Sequence, residues 1–144
     1  MTSSEIPLQV AQYLDSRKYF RVDKDVVNKV LTRLSGDHLL LRNFFETYEG
    51  SFWSEHLGCE LLDITEGDES IETSTQTCRV QFGFPMRFFV LTRFSAGQVV
   101  VLDIERDKVY EVDFEGGDAM LLSGDLPQRW ESFEAFLKEF FIAV

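Results

Sequence analysis

The chain has 144 residues, enough for one domain with a core of its own, and its 44% hydrophobic and 27% charged content is that of a folded globular protein. A formal net charge of −11 argues against nucleic-acid binding, which needs a basic stripe, and no apolar run approaches the ~20 residues of a membrane span. Two cysteines make no disulfide framework, and "MTSSEIPLQVAQYLDSR" has no basic start followed by an apolar run, so we expect no signal peptide, reduced thiols and a cytoplasmic location.

In chain order, "SSEIPLQVAQYLDSR" reads as a short helix. Ser3 or Ser4 is its cap, Pro7 lies in its first turn, and Leu8, Ala11 and Leu14 share a face. "VDKDVVNKVLTRLSG" is a second helix, capped by Asp23 or Asp25 and ended by Gly36. Its stripe is Val26, Val27, Val30, Leu31 and Leu34. "DHLLLRNFFETYEG" is a third, with Leu40, Leu41, Phe44, Phe45 and Tyr48 on one face and Gly50 as its stop. After Gly50 the period changes. "GCELLDITE" is strand-like, and "GDESIETSTQT" reads as a polar loop.

Three β-rich runs follow at 87–94, 98–104 and 108–114, joined by hairpin-sized "SAG" and "ERD". In the last run Tyr110, Val112 and Phe114 alternate with Val109, Glu111 and Asp113, which predicts one buried and one solvated face. "EGGD" at 115–118 reads as a turn, and Asp103, Glu105, Asp107, Asp113 and Glu115 as a solvated sheet face and its turns. "RWESFEAFLKEFFIAV" is a closing helix. The expected fold class is α+β. Helices pack on one face of an antiparallel sheet of about four to six strands, in a single domain 1–144 with 1–36 as an N-terminal helical extension. The 14 Phe, against 4 Tyr and 2 Trp, predict an aromatic-rich core.

The acidity is local. Between Arg42 and Arg79 there is no Lys or Arg, and nine acids fall there: Glu46, Glu49, Glu55, Glu60, Asp63, Glu66, Asp68, Glu69 and Glu72. Such a window suits a basic protein partner or a cation, or it serves solubility alone. Within it, His56 and Cys59 stand three apart in "SEHLGC". A zinc site would need His38, His56, Cys59 and Cys78 to converge, and their spacing fits no compact zinc module. A Cys–His nucleophile needs a cationic setting, and this one is anionic, so Cys59 reads as a small core residue. "DITEGDES" lacks the order of a calcium loop, and no Walker, GxGxxG, GxSxG or HExxH motif is present. No cofactor and no metal is expected.

The order of pieces resembles the SUKH superfamily, bacterial toxin-immunity proteins related to a fungal regulator of cell-wall synthesis. The resemblance spans about residues 37 to 141. It rests on the order and spacing of "LRNFFETYEGSFW", "CELLDI", "FGFP", "FFVLTRFSAGQVVVLDIERDKVYEVDFEGG" and "WESFEAFL". The strongest parts are Phe45 to Gly50, Gly97 to Tyr110, and Ser132–Phe133 with Phe136–Leu137. The resemblance implies an α+β fold, no enzymatic activity, and neutralisation of a cognate toxin by direct binding. A nuclease toxin is basic, and the acidic window would then stand in for nucleic acid. The expected contact residues are Glu49, Phe52, Trp53, Glu55, Glu60, Asp63, Glu66, Asp68, Glu69 and Glu72. For Phe52 and Trp53 the alternative is packing under the third helix. Two other functional readings stand beside this one: a general interaction scaffold without a toxin, and a metal or thiol enzyme using His56 and Cys59.

Overall fold

The computed structural model describes residues 4–142. Among these the order is α1 (Leu8–Arg17), α2 (Asp25–Leu34), α3 (Leu39–Thr47), β1 (Phe52–Ser54), β2 (Cys59–Leu61), α4 (Ile71–Phe82), β3 (Phe88–Val90), β4 (Gln98–Asp103), β5 (Lys108–Asp113), α5 (Gly117–Ser123) and α6 (Phe133–Ile142). The class is α+β. The strands form two small antiparallel sheets, β1–β2 and β3–β4–β5, where a single sheet of four to six strands was expected. They are tied at one point: Leu61 bridges Thr92, the Leu62 N–H donates to the Leu91 carbonyl at 2.9 Å, and the Arg93 N–H to the Glu60 carbonyl at 3.0 Å.

The first three helices form where the apolar spacing places them, with differences at their ends. Leu8 opens α1 after Pro7 and is exposed. Val10 and Leu14 carry the buried face, Ser4 makes no cap, and Ser3 lies outside the described residues. The α2 stripe is as read, but Ser35, with φ +59°, makes the left-handed cap. Gly36 is needed for a different reason: a Cβ there would sit 2.5 Å from Ile104 Cδ1 and against the Phe89 ring. His38 caps α3, its Nδ1 accepting from the Leu41 N–H at 3.2 Å. That helix ends at Thr47, before Gly50, because Tyr48 turns extended and bridges Phe20.

Two expectations fail together. From Ile71 on, the stretch read as a polar loop belongs to α4, and "EGGD" is a turn only through Glu115 and Gly116 before α5 opens at Gly117. A capping box starts α4: the Thr73 N–H donates to Ser70 Oγ at 3.1 Å and the Ser70 N–H to Thr73 Oγ1 at 3.0 Å. It buries only Ile71, Thr75 and Cys78, and the Thr75 hydroxyl accepts from the Val90 N–H at 2.9 Å. Because these helices cover it, the second face of the sheet is buried, not solvated. Phe89, Leu91, Val100, Leu102 and Val109 join the main core with α1, α2, α3 and α6, while Phe88, Val90, Val99, Val101 and Val112 form a second core with Cys78, Phe84 and Leu121. Helices therefore lie on both faces. The unbroken apolar run Val99–Leu102 is what two-sided burial requires.

Asp103 is buried, not on a solvated face. Its Oδ1 accepts from the N–H groups of Glu105 and Arg106, closing the β4–β5 turn. The β3–β4 turn is two residues, Ala96 and Gly97, both at positive φ (+52° and +76°), the pattern of a type I′ hairpin. In the closing segment, Trp130 precedes α6 and bridges Val109, and Ala143 and Val144 lie outside the described residues.

Residues 19–21 run beside 47–49 (Arg21 N to Thr47 O 2.9 Å, Glu49 N to Tyr19 O 2.8 Å), which makes the N-terminal helices part of the main core. From this segment Arg21 reaches inward, donating to the Phe45 carbonyl and to Asp63, with both charged side chains almost wholly buried. Removing one partner leaves a buried charge uncompensated, so we predict that Arg21→Met lowers the unfolding free energy by about 3–5 kcal/mol in urea titrations. A loss below about 1 kcal/mol, the worth of an exposed pair, would mean that the pair organises nothing.

Candidate partner-binding surface

The acidic window folds into the end of α3 and the segment 48–51, the β1–β2 hairpin, the loop 62–70 and the start of α4. The hairpin pairs Phe52 with Leu61, Trp53 with Glu60 and Ser54 with Cys59. Successive side chains point to opposite faces. Phe52 is accordingly 4% exposed, its ring 5.6 Å from Phe44, 5.6 Å from Tyr19 and 5.5 Å from Phe141, and it is core rather than anchor. Trp53 points the other way and is 57% exposed.

Asp63 is also withdrawn from the surface. It is fully buried, takes Arg21, and accepts from the N–H groups of Gly50, Thr65 and Glu66 at 2.8 to 3.2 Å. Neither Phe52 nor Asp63 can touch a partner in this fold. Glu72 lies mostly buried on α4, holding Arg33 of α2 through both carboxylate oxygens (2.5 and 3.0 Å). That bidentate bond raises the Arg33 pKa.

Three of the remaining acids gather round one cation. Arg93 meets Glu60 at 3.0 Å, Asp68 at 2.9 Å and Glu69 at 3.6 Å. The hydrogen bonds to Asp68 and then Glu60 raise the Arg93 pKa, and the same bond from Arg93 lowers that of Asp68. Glu49 lies 3.6 Å from Arg21, and Glu46 3.9 Å from Arg42. Four arginines, none inside the window, thus pair with seven of its nine carboxylates, and nine acids against four cations leave an excess of five negative charges. Glu55 and Glu66 are exposed and have no ion pair among the described residues. Trp53, Glu60, Arg93 and Asp68 with Glu69 form a continuous path of neighbours, so hairpin and loop share one surface.

The four metal-ligand candidates do not converge. His38 Nε2 meets Asp107 at 2.7 Å, His56 Nε2 meets Glu139 at 3.2 Å, and Cys78 sits in the second core. Cys59 lines a cavity of about 200 Å³ with Glu111 and Trp130. His56 is partnered by Glu139, whose other oxygen takes the Trp130 N–H at 2.8 Å, and not by Cys59. No group of three or more His, Cys, Asp and Glu among the described residues is placed to hold a metal ion. No helix among them is long and apolar enough to cross a membrane.

Sequence reading missed a cleft of about 530 Å³ between α4 and the three-stranded sheet, which begins at Asp68 and Glu69. Finding it requires α4, whose one sequence mark is Ser70 three residues before Thr73 with Gly83 at the far end. Compared with models of known protein families and with curated proteins, the chain matches none.

Burial pushes both thiols up to about 11, with Glu111 adding to the effect at Cys59. We predict slow alkylation of both cysteines at pH 7.5, a rise only toward pH 11, and no change at Cys59 in His56→Ala. The folded thiols keep protons that unfolded ones release near ~8.5, so stability should fall as pH rises through that interval. A fast Cys59 that slows in His56→Ala would instead mark a working thiol–imidazole pair.

Proposed function

We propose that the chain is a non-catalytic, cytoplasmic protein-binding domain of the immunity type, neutralising a basic protein toxin such as a nuclease by direct contact. The observation that carries this reading is Trp53, a large aromatic standing 57% exposed on an acidic hairpin. A protein interface is commonly built on such a residue. The aromatic anchor supplies the affinity, and the surrounding charge speeds encounter and selects the partner's sign. Trp53 has Glu60 as its cross-strand partner and Glu55 two residues on, and the Arg93 cluster carries the surface on to Asp68 and Glu69. The resemblance of residues 37 to 141 to toxin-immunity proteins supports the same reading.

The contact surface is revised by burial to Glu49, Trp53, Glu55, Glu60, Glu66, Asp68 and Glu69. Glu55 and Glu66 are the informative charges, because reversing them breaks no ion pair among the described residues.

A tagged pull-down from the source cell's lysate at low and high salt, followed by co-expression with the captured protein, tests this. A stoichiometric basic partner whose toxicity is relieved is the expected result. A partner without toxicity would make the chain an interaction scaffold. In that complex, Glu55→Lys with Glu66→Lys should slow association on the order of tenfold at low salt and flatten its salt dependence. Trp53→Ala should cost about 2 kcal/mol, mostly through faster dissociation. Wild-type kinetics in both variants would remove this face from the account.

A further inference from the structure

We propose that the cleft between α4 and the β3–β5 sheet receives an apolar side chain of the partner, one that stands next to a lysine or arginine in the partner's chain. The inference rests on the binding-domain reading and names the part of the partner that is held.

The cleft falls within the size range of preformed ligand sites. Its apolar lining holds three phenylalanines in tilted ring contact, Phe82 at the C-terminal end of α4 among them. Phe94 is 57% exposed, with its ring 5.5 Å from Phe114, which lies 4.6 Å from Phe82. The opposite wall is the polar face of α4, where Thr73, Thr77 and Gln81 recur every fourth residue. Those side chains leave the space open, and Phe94 stays uncovered. An aromatic or branched aliphatic side chain of a partner would complete the packing that the second core begins.

Charge decides what stands beside that side chain. Asp68 and Glu69 form the mouth of the cleft, and with Glu60 they share Arg93 alone, leaving two negative charges in excess. Among the described residues no Lys or Arg lines the cleft. The N-terminus of α4, which would otherwise attract an anion, has its first donors taken, the Ile71 and Glu72 N–H groups by the Asp63 and Ile64 carbonyls and the Thr73 N–H by Ser70 Oγ. A phosphate or carboxylate is therefore repelled, and a basic neighbour of the inserted side chain is drawn to the mouth. Phe94 lines the same cleft, so the site also offers an aromatic ring to a guanidinium or ammonium.

The test uses the whole chain and three short peptides, Ac-Lys-Phe-Lys-NH2, Ac-Glu-Phe-Glu-NH2 and Ac-Lys-Gly-Lys-NH2, followed by 15N–1H NMR titration. The Lys-Phe-Lys peptide should shift amides of residues 73–82 and 90–94 and bind at least fivefold tighter than either of the others. Thr77→Trp, which fills the cleft from an exposed helix position, should weaken it at least fivefold. Asp68→Asn with Glu69→Gln, which leaves the cavity intact, should bring Lys-Phe-Lys and Glu-Phe-Glu within about twofold of each other. Equal binding of all three peptides, shifts confined to other surfaces, or indifference to both variants would overturn the proposal. Should the chain neutralise a toxin whose binding Thr77→Trp leaves unchanged, the cleft falls and the immunity reading stands. Should the peptide bind as described while no toxin is relieved, the cleft stands and that reading falls.

Discussion

The buried pair of Arg21 and Asp63 is the constraint on which the surface depends. A guanidinium and a carboxylate out of water cost several kcal/mol each unless nearly every donor and acceptor is matched. Here the matching recruits four parts of the chain. Arg21 comes from the α1–α2 linker and bonds the carbonyl of Phe45 near the end of α3. Asp63 follows β2 and takes the N–H of Gly50, just before β1, and those of Thr65 and Glu66 in the acidic loop. Each bond satisfies a group that would otherwise be orphaned. The loop that bears Glu66, Asp68 and Glu69 is thereby fixed against the hairpin that bears Trp53.

The same device recurs where strands end. Asp63, Asp103 and Asp113 each lie at or near the exit of a strand and turn back to accept from backbone N–H groups two to four residues on. A short polar side chain in this position makes an Asx turn that replaces the lost ladder bonds. Asp107, at the other side of the β4–β5 turn, takes both His38 and the Phe133 N–H at the start of α6. Several of the chain's carboxylates are therefore internal acceptors. Composition alone counts them as surface charge, and this is why an overall charge of −11 overstates what a partner would meet.

What was legible in the sequence follows from how each element is held. The helices α2, α3 and α6 bury long apolar stripes, β4 holds a run of valines and β5 intersperses Val and Tyr with charged residues, so pattern alone locates them. The helix α4 escaped because its buried positions include Thr75 and Cys78. Thr75 is buried at no polar cost only because it bonds β3, a partner 15 residues away. With α4 and α5 unread, the second face of the sheet was taken to be wet. The candidate surface suffered from a related blindness. A run of acids is one-dimensional, and the arginines that neutralise it come from residues 21, 33, 42 and 93, all outside the run. Alternation along β1 was the missing clue that separates Phe52 from Trp53.

The two faces of the sheet are built to different standards. On one, Phe44, Phe45, Phe52, Phe133, Phe136 and Phe140 interlock with α1 and α2 into a sealed aromatic core, which carries most of the apolar burial. On the other, a smaller cluster is roofed by two helices whose facing residues are Thr, Ser, Cys and Gln as often as apolar. Polar side chains leave such a roof open, so the cleft, with Phe94 exposed and Phe82 and Phe114 half-buried, follows from the composition of α4. Because the main core already secures the fold, the roof is free to be incomplete. A binding surface placed there would leave the buried Arg21–Asp63 pair and the aromatic core untouched, so residues of the roof could vary with the partner at small cost to stability.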